Sequence, residues 1–105
     1  MFMHSWLTLN MDELKTLCEL HHVKSLFAFG SVITKDFTPN SDIDLLVDIE
    51  NTDPVSYSDD YFSLKFKLQK LFKRKIDLLE HKAIHNKYLK AHIDSNKILL
   101  YGKGY

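Results

Sequence analysis

The sequence predicts an α+β fold in which helices pack on a small mixed β-sheet. Hydrophobic residues recur at helical spacing in two segments and at strand spacing in several shorter ones. These segments follow one another in the order helix, strand, strand, helix, strand, helix, short strand. The chain has 105 residues, 45% hydrophobic and 27% charged. This size and composition suit a single domain, residues 1–105, with one core.

The first predicted elements are a helix over residues 11–22 and a strand over residues 23–29. Asn10 and Glu13 match a capping-box pattern at the start of the helix. The apolar face of this helix includes Cys18, which we expect in the core because free cysteine is usually buried. The strand ends at Gly30-Ser31.

The second half contains the remaining strands and helices. A turn at residues 39–41 precedes a strand over 42–48, and residues 51–56 form a break that contains Pro54. A long helix is expected over residues 58–73, with Ser58 as its cap and with Phe62 and Phe66 widening its hydrophobic stripe. A strand over 75–79, a helix over 84–93 and an extended segment over 97–101 follow.

Charge and cysteine content exclude several classes of protein. Lys plus Arg and Asp plus Glu number 14 each, so the formal net charge is zero, which argues against a protein whose whole surface binds nucleic acid. A local basic patch is compatible with this balance, but we do not expect a nucleic-acid partner. A single cysteine excludes an intrachain disulfide and favours a reducing compartment. No hydrophobic run approaches the ~20 residues of a membrane helix, and the N-terminal residues lack the pattern of a signal peptide. We expect a cytoplasmic protein without a membrane partner.

Three aspartates are candidates for chemistry. Asp42 and Asp44 are two apart in a strand, so both carboxylates point to one face, and a divalent cation such as Mg²⁺ or Mn²⁺ would relieve their repulsion. Asp77 interrupts the next short apolar strand, and a neighbouring position would bring three carboxylates together as a two-metal site. Each aspartate, taken alone, also fits a solvated position on an edge strand.

Gly30 and Ser31 form the second candidate group. A glycine at a strand end allows a ligand to approach the backbone, and a serine hydroxyl can donate to a phosphate oxygen. The alternative is a tight turn without a ligand. Gly30 is the only glycine before Gly102, so the chain has neither a P-loop nor a dinucleotide-binding motif.

The combined pattern resembles the minimal nucleotidyltransferases of the DNA polymerase β-like superfamily. Gly30-Ser31, ten further residues and then Asp42-Ile43-Asp44 match the Gly-Ser-x10-Asp-x-Asp pattern of this family, and Asp77 matches its third carboxylate. The resemblance implies a polymerase β palm-like fold and Mg²⁺-dependent transfer of a nucleotidyl group from ATP to a hydroxyl.

The resemblance also implies residue roles and a partner. Gly30 and Ser31 would hold the triphosphate, while the three aspartates would bind metal and act in catalysis, with Asp77 completing the second metal site or activating the acceptor. Many members are antitoxins that adenylylate a tyrosine of a small helical HEPN-type toxin encoded nearby. Homo- or hetero-oligomers are compatible with this expectation.

The chain departs from the family pattern at one position. Many members have Gly-Ser-x-Ala-Arg-Gly, whereas Thr34 stands here in place of the arginine, with Lys35 next to it. Lys35 could supply a positive charge to the nucleotide but lacks the bidentate fork of arginine, so weaker triphosphate binding is expected. Two alternatives to protein adenylylation remain: a binding module that neutralises a partner by complex formation, and transfer to a small molecule or RNA.

Overall fold

The computed structural model of the chain describes residues 5–38 and 40–103, the first two of them by backbone alone. Four strands form one sheet: β1 (Val23–Phe29), β2 (Ile43–Ile49), β3 (Ile76–Glu80) and β4 (Ile98–Gly102). Their spatial order is β3-β2-β1-β4. The β2–β3 pair is parallel, and β1 is antiparallel to both β2 and β4. This mixed sheet with packed helices confirms the predicted fold class.

The described residues form four α-helices: α1 (Ser5–Leu9), α2 (Met11–Leu20), α3 (Pro54–Phe72) and α4 (Lys87–Asn96). Two 3₁₀ turns, Gly30–Ile33 and His81–Ala83, follow β1 and β3. The helix α1 was not predicted from the sequence. None of the helices within residues 5–38 and 40–103 is long and apolar enough to cross a membrane.

The two faces of the sheet carry separate hydrophobic clusters, because successive strand residues point to opposite faces. The main cluster joins one face to α2 and α3, and its members include Leu14, Cys18, Leu26, Ala28, Ile43, Leu45, Val47, Leu64, Leu68, Ile76 and Leu78. The smaller cluster on the other face contains Phe27, Leu46 and Ile93, so α4 packs there. The predicted burial of Cys18 is confirmed, since its side chain is fully buried.

The long helix α3 begins at Pro54 rather than at the predicted Ser58. The Asp53 side chain caps it by accepting a hydrogen bond of 3.0 Å from the Ser56 amide. Proline suits the first helical position, because its missing N–H has no intrahelical partner there. Pro54 therefore starts the helix, and its interpretation as part of a break was wrong.

Phe62 and Phe66 do not extend the buried stripe of α3; they are 65% and 57% exposed. The helix contacts the sheet through Leu64, Leu68 and Phe72, which are four residues apart. A residue two positions from one of these leucines is rotated by about 200° around the helix axis. The two phenylalanines therefore lie on the outer side of α3.

The ends of α2 and α4 also differ from the prediction. The Asn10 side chain makes no capping hydrogen bond, since Asn10 has nearly helical angles (φ −101°, ψ 12°) between α1 and α2, whereas a cap needs extended backbone. The helix then ends at Leu20, two residues early, and His22 adopts a left-handed conformation (φ 58°). The helix α4 starts three residues late, where the Asn86 side chain accepts hydrogen bonds from the amides of residues 88 and 89.

Candidate active site

The register of β2 and β3 pairs Asp44 directly with Asp77. Ile43, Leu45, Ile76 and Leu78 point into the main cluster, so the alternation of side chains directs both aspartates to the other face, which also carries α4. Asp44 is also the register partner of Phe29, the last residue of β1. Two of the three predicted carboxylates therefore lie side by side, next to the end of β1.

Asp42 immediately precedes β2 and lies at the same end of this strand as Asp44, but its carboxylate is more exposed than that of Asp44. Its side chain is 49% exposed and Oδ2 lies 3.9 Å from Lys75 Nζ. Ion pairs between exposed side chains contribute little free energy, so this contact is weak. Across residues 5–38 and 40–103, no three Asp, Glu, His or Cys side chains are grouped as one metal-ion site. The structure thus pairs Asp44 with Asp77. Asp42 lies beside this pair, and the three carboxylates do not surround a common point.

The electrostatic environment of Asp44 favours a cation. Burial raises the pKa of its carboxyl group above the ordinary value of 3.8, and the negative charges of Asp77 and Asp42 raise it further. A bound divalent cation would offset both the lost hydration and the repulsion. An all-carboxylate donor set suits the hard cations Mg²⁺ and Mn²⁺, so the chemistry of these residues fits the expected metal.

Gly30 connects the glycine-serine motif to the aspartates. Its φ of +72° lies in the left-handed region, which favours glycine. A Cβ atom at this position would overlap Oδ2 of Asp44. The absence of a side chain therefore allows the backbone of the Gly30–Ile33 turn to approach the carboxylate. Ser31 follows within this turn, as predicted from its position after the strand.

Thr34, which replaces the family's arginine, has a local structural role. Its hydroxyl donates to Ser31 O at 2.9 Å and accepts a hydrogen bond from the Asp36 amide at 3.2 Å. Its own amide also donates to Ser31 O. These bonds close the 3₁₀ turn behind Ser31. The Lys35 side chain is exposed in the following loop.

Arg74 is a positioning residue that the sequence did not identify. Its Nη1 atom donates to the carbonyl oxygens of Thr38 and Ser41, at 2.8 and 2.9 Å. Its guanidinium carbon lies 4.3 Å from the centroid of the Phe37 ring. The loop that leads to Asp42 is therefore attached to the segment between α3 and β3. The only sequence signal was the arginine's place just before β3, within a run of lysines that is typical of a solvated helix face.

A cleft of about 370 Å³ opens beside Gly30. The Gly30–Ile33 turn and Thr34 form one side, and His92 and Asn96 of α4 form the other. A larger cavity of about 640 Å³ lies between α2 and α3 and is lined by none of the predicted site residues. The smaller cleft is lined by Gly30, which in turn adjoins the Asp44 carboxylate.

The chain is similar to several known proteins. The family model described as "Polymerase beta, Nucleotidyltransferase" matches residues 12–104. A protein of Methanocaldococcus jannaschii named "Putative protein adenylyltransferase" is 37% identical over 84 residues, which are 80% of this chain and 83% of that protein. A solved structure described as a "putative minimal nucleotidyltransferase" has a TM-score of 0.73 and 25% identity, covering 88% of this chain and 90% of that one.

Two further solved structures share the fold at lower identity. One is a toxin–antitoxin complex with AMP-PNP, with a TM-score of 0.69, 21% identity and coverage of 90% of this chain and 74% of that one. The other contains a tri-AMPylated Shewanella oneidensis HEPN toxin with an MNT antitoxin, with a TM-score of 0.63, 20% identity and coverage of 92% and 73%. These two structures show the fold alone. The family model that matches residues 12–104, the 37% identical relative and the minimal nucleotidyltransferase structure show that the chain belongs to the polymerase β-type nucleotidyltransferase family and is an enzyme of the minimal nucleotidyltransferase type.

Proposed function

We propose that this protein is a Mg²⁺-dependent adenylyltransferase that transfers AMP from ATP to a hydroxyl group of a partner protein. The partner is a HEPN-type toxin, and the chain acts as its antitoxin. The observation that carries the proposal is the pairing of Asp44 with Asp77 directly beside the glycine of the Gly30–Ile33 turn. This arrangement supports a metal site next to a backbone that a phosphate group can approach.

Asp42, Asp44 and Asp77 would hold the metal. Mg²⁺ bound there supplies positive charge that stabilises the phosphate oxygens during transfer. Asp44 is already placed between Gly30 and Asp77. Asp42 joins by giving up its contact with Lys75, which costs little because both side chains are largely exposed.

The reaction forms one bond and breaks another. The acceptor hydroxyl oxygen bonds to the α-phosphorus of ATP, and the bond from that phosphorus to the β-phosphate oxygen breaks, which releases pyrophosphate. Asp77 takes the hydroxyl proton, since its carboxylate is exposed to solvent and can be reached by an acceptor. Gly30 and Ser31 hold the triphosphate so that the α-phosphate faces this carboxylate.

Similarity to other proteins supports the choice of acceptor. The matched M. jannaschii protein is named for protein adenylylation. The similar S. oneidensis complex contains a HEPN toxin that carries three AMP groups. The chain itself has no separate lobe for a small molecule or an RNA within its described residues, so we favour an acceptor that arrives on another protein.

The test is intact-mass analysis of the protein encoded by the neighbouring gene, after incubation with this protein, ATP and Mg²⁺. We expect the partner to gain one or more AMP units. The double variant Asp42→Asn/Asp44→Asn should produce none, whereas Asp59→Asn, which changes an exposed carboxylate on α3, should behave as the wild type. Modification by the double variant would contradict the proposed site.

A second function, neutralisation of the partner by binding alone, is favoured by two observations. The three carboxylates do not surround a common point in the described part of the chain, and Thr34 replaces the family's arginine. A partner that forms a tight complex but never gains AMP would support this alternative. Absence of both modification and complex would direct the search to small-molecule or RNA acceptors.

A further inference from the structure

The cleft beside Gly30 has the position and the size of a nucleoside site. Its volume of about 370 Å³ lies within the range of roughly 300–1,000 Å³ that is typical of small-molecule sites. Gly30 lines this cleft and also contacts the Asp44 carboxylate through the space of its missing side chain. A molecule in the cleft would therefore lie next to Gly30, which adjoins the Asp44 carboxylate.

The amide group of Asn96 has a defined orientation in this cleft. Its Nδ2 donates to His92 O at 2.9 Å and to Ser95 Oγ at 3.1 Å. A backbone carbonyl can only accept, so the nitrogen and not the oxygen must face His92. Both amide hydrogens are thus directed at the helix itself. The group that Asn96 can offer to a ligand is Oδ1, a hydrogen-bond acceptor held in place by two bonds.

The other lining residues suit a flat, partly apolar ligand. His92 contributes an exposed planar ring from α4, and the Gly30–Ile33 turn, in which Ile33 is buried, forms the opposite side of the cleft. A planar base can pack against such surfaces while an acceptor at the rim selects its edge.

We propose that this cleft binds the nucleoside of the substrate and that Asn96 Oδ1 selects a purine with a 6-amino group. This inference rests on the proposed function and adds the residue that determines base specificity. The amino group of adenine donates to Oδ1. A 6-oxo purine would instead place a second acceptor against Oδ1 and lose the hydrogen bond.

The test compares ATP with inosine triphosphate, in which a 6-oxo group replaces the 6-amino group and N1 carries a hydrogen. Dissociation constants are measured by calorimetry with the full chain in Mg²⁺ buffer, without an acceptor protein. We expect the wild type to bind ATP about tenfold more tightly than inosine triphosphate, because one hydrogen bond to a preorganised acceptor contributes about this much affinity. Asn96→Ala should reduce this ratio to about one by weakening ATP binding.

A matched pair of histidine variants tests the wall of the cleft. His92→Ala should weaken both nucleotides about equally, whereas His85→Ala, an exposed histidine outside the cleft, should change neither. Asn96→Ser serves as a second variant if Asn96→Ala does not fold, with circular dichroism as the check. Equal wild-type affinities, or a preference that survives loss of Asn96, would overturn the inference.

The outcome is separable from that of the proposed function. If the wild type binds ATP selectively through Asn96 but modifies no protein, the nucleoside site is supported and the proposed adenylyltransferase activity is contradicted. If the protein transfers AMP but binds ATP no more tightly than inosine triphosphate, the adenylyltransferase activity is supported and the proposed base selection is contradicted. Failure to bind either nucleotide would overturn both.

Discussion

The carboxylate of Asp44 occupies the space in which a side chain at residue 30 would stand. Gly30 has a left-handed backbone conformation, and a Cβ there would overlap Oδ2 of Asp44. The two motifs that are separated by ten residues in the sequence are therefore in direct contact in the fold. Any substitution of Gly30 has to move the aspartate that we place at the metal.

Gly30→Ala should reduce transfer activity far more than it reduces the stability of the fold. We expect transfer to fall at least a hundredfold because Asp44 is displaced, while the free energy of unfolding falls by about 1–2 kcal/mol because alanine is strained at φ +72°. Gly102→Ala is the matched control. Its Cβ would overlap the backbone oxygen of Lys24 in the neighbouring strand, so it should lose stability and keep the site. Mass analysis of the acceptor and thermal unfolding measure the two effects; equal activity loss in both variants would contradict this relationship.

Asp44→Asn should raise the melting temperature near pH 7 while it removes transfer. The raised pKa of Asp44 means that its charged form destabilises the folded protein. This cost is fully present above the folded-state pKa and disappears as the pH falls toward the unfolded value near 3.8. The gain in the variant should therefore shrink in acid. Thermal unfolding in metal-free buffer at a series of pH values checks this; a variant that melts lower at pH 7 would show that the carboxylate stabilises the fold.

Asp60 should contribute stability with the opposite pH dependence. Burial alone would raise the pKa of this carboxyl group, but hydrogen bonds from Asn51 and His22 outweigh burial and lower the pKa. A lowered folded-state pKa gives stability that is present above pH 3.8 and lost as the pH falls through the folded-state value. Asp60→Asn should lower the free energy of unfolding at pH 7 by about 1–3 kcal/mol.

The control for Asp60 is its exposed neighbour on the same helix. Asp59→Asn should change stability by no more than about 0.5 kcal/mol, as is usual for surface substitutions. Urea unfolding at pH 7 and at pH 3 compares the two variants. A deficit of Asp60→Asn that is as large at pH 3 as at pH 7 would show that charge is not the cause.

Arg74 should support activity by holding the loop before Asp42. Arg74→Ala removes both hydrogen bonds to the carbonyls of Thr38 and Ser41, and we expect transfer to fall tenfold to a hundredfold. Arg74→Lys keeps the charge but loses the geometry of the guanidinium, so it should be only partly active.

The control for Arg74 is Lys73→Asn. This variant removes the positive charge next to Arg74, and asparagine tolerates the left-handed conformation of residue 73 (φ 54°). This control should retain activity in the same mass assay. A fully active Arg74→Ala would show that the loop needs no such attachment.

Cys18 should be unreactive in the folded protein. Its side chain is fully buried, and burial, with a smaller contribution from Glu19, raises the pKa of its thiol to about 12. Only the thiolate is a nucleophile, so a thiol reagent at pH 8 should label less than a tenth of the native protein and all of it in guanidinium chloride. Rapid stoichiometric labelling of the native protein would contradict the burial of this face of α2.

The local order of residues along the chain was sufficient to predict most helices and strands. The alternation of side chains located β1 and β2 and assigned residues 26–29 and 43–47 to the correct faces, because period two is a property of the strand itself. Alternation does not extend to Val23, because the register shifts between Val23 and Ser25. Helical spacing likewise indicated that Cys18 is buried. Errors arose where one residue type suits two local structures: Pro54 both breaks and begins helices, and Asn10 caps a helix only with extended backbone.

The sequence by itself determined the strands, the motif spacing and the family resemblance, since these depend on neighbours along the chain. Only the tertiary structure decided that β3 lies parallel to β2 with Asp77 opposite Asp44, that Gly30 adjoins Asp44 and that Arg74 holds the loop before Asp42. It also placed His92 and Asn96 across a cleft from the Gly30–Ile33 turn. These contacts join residues that are 14 to 66 positions apart, and their geometry follows from strand register and helix packing rather than from any local pattern.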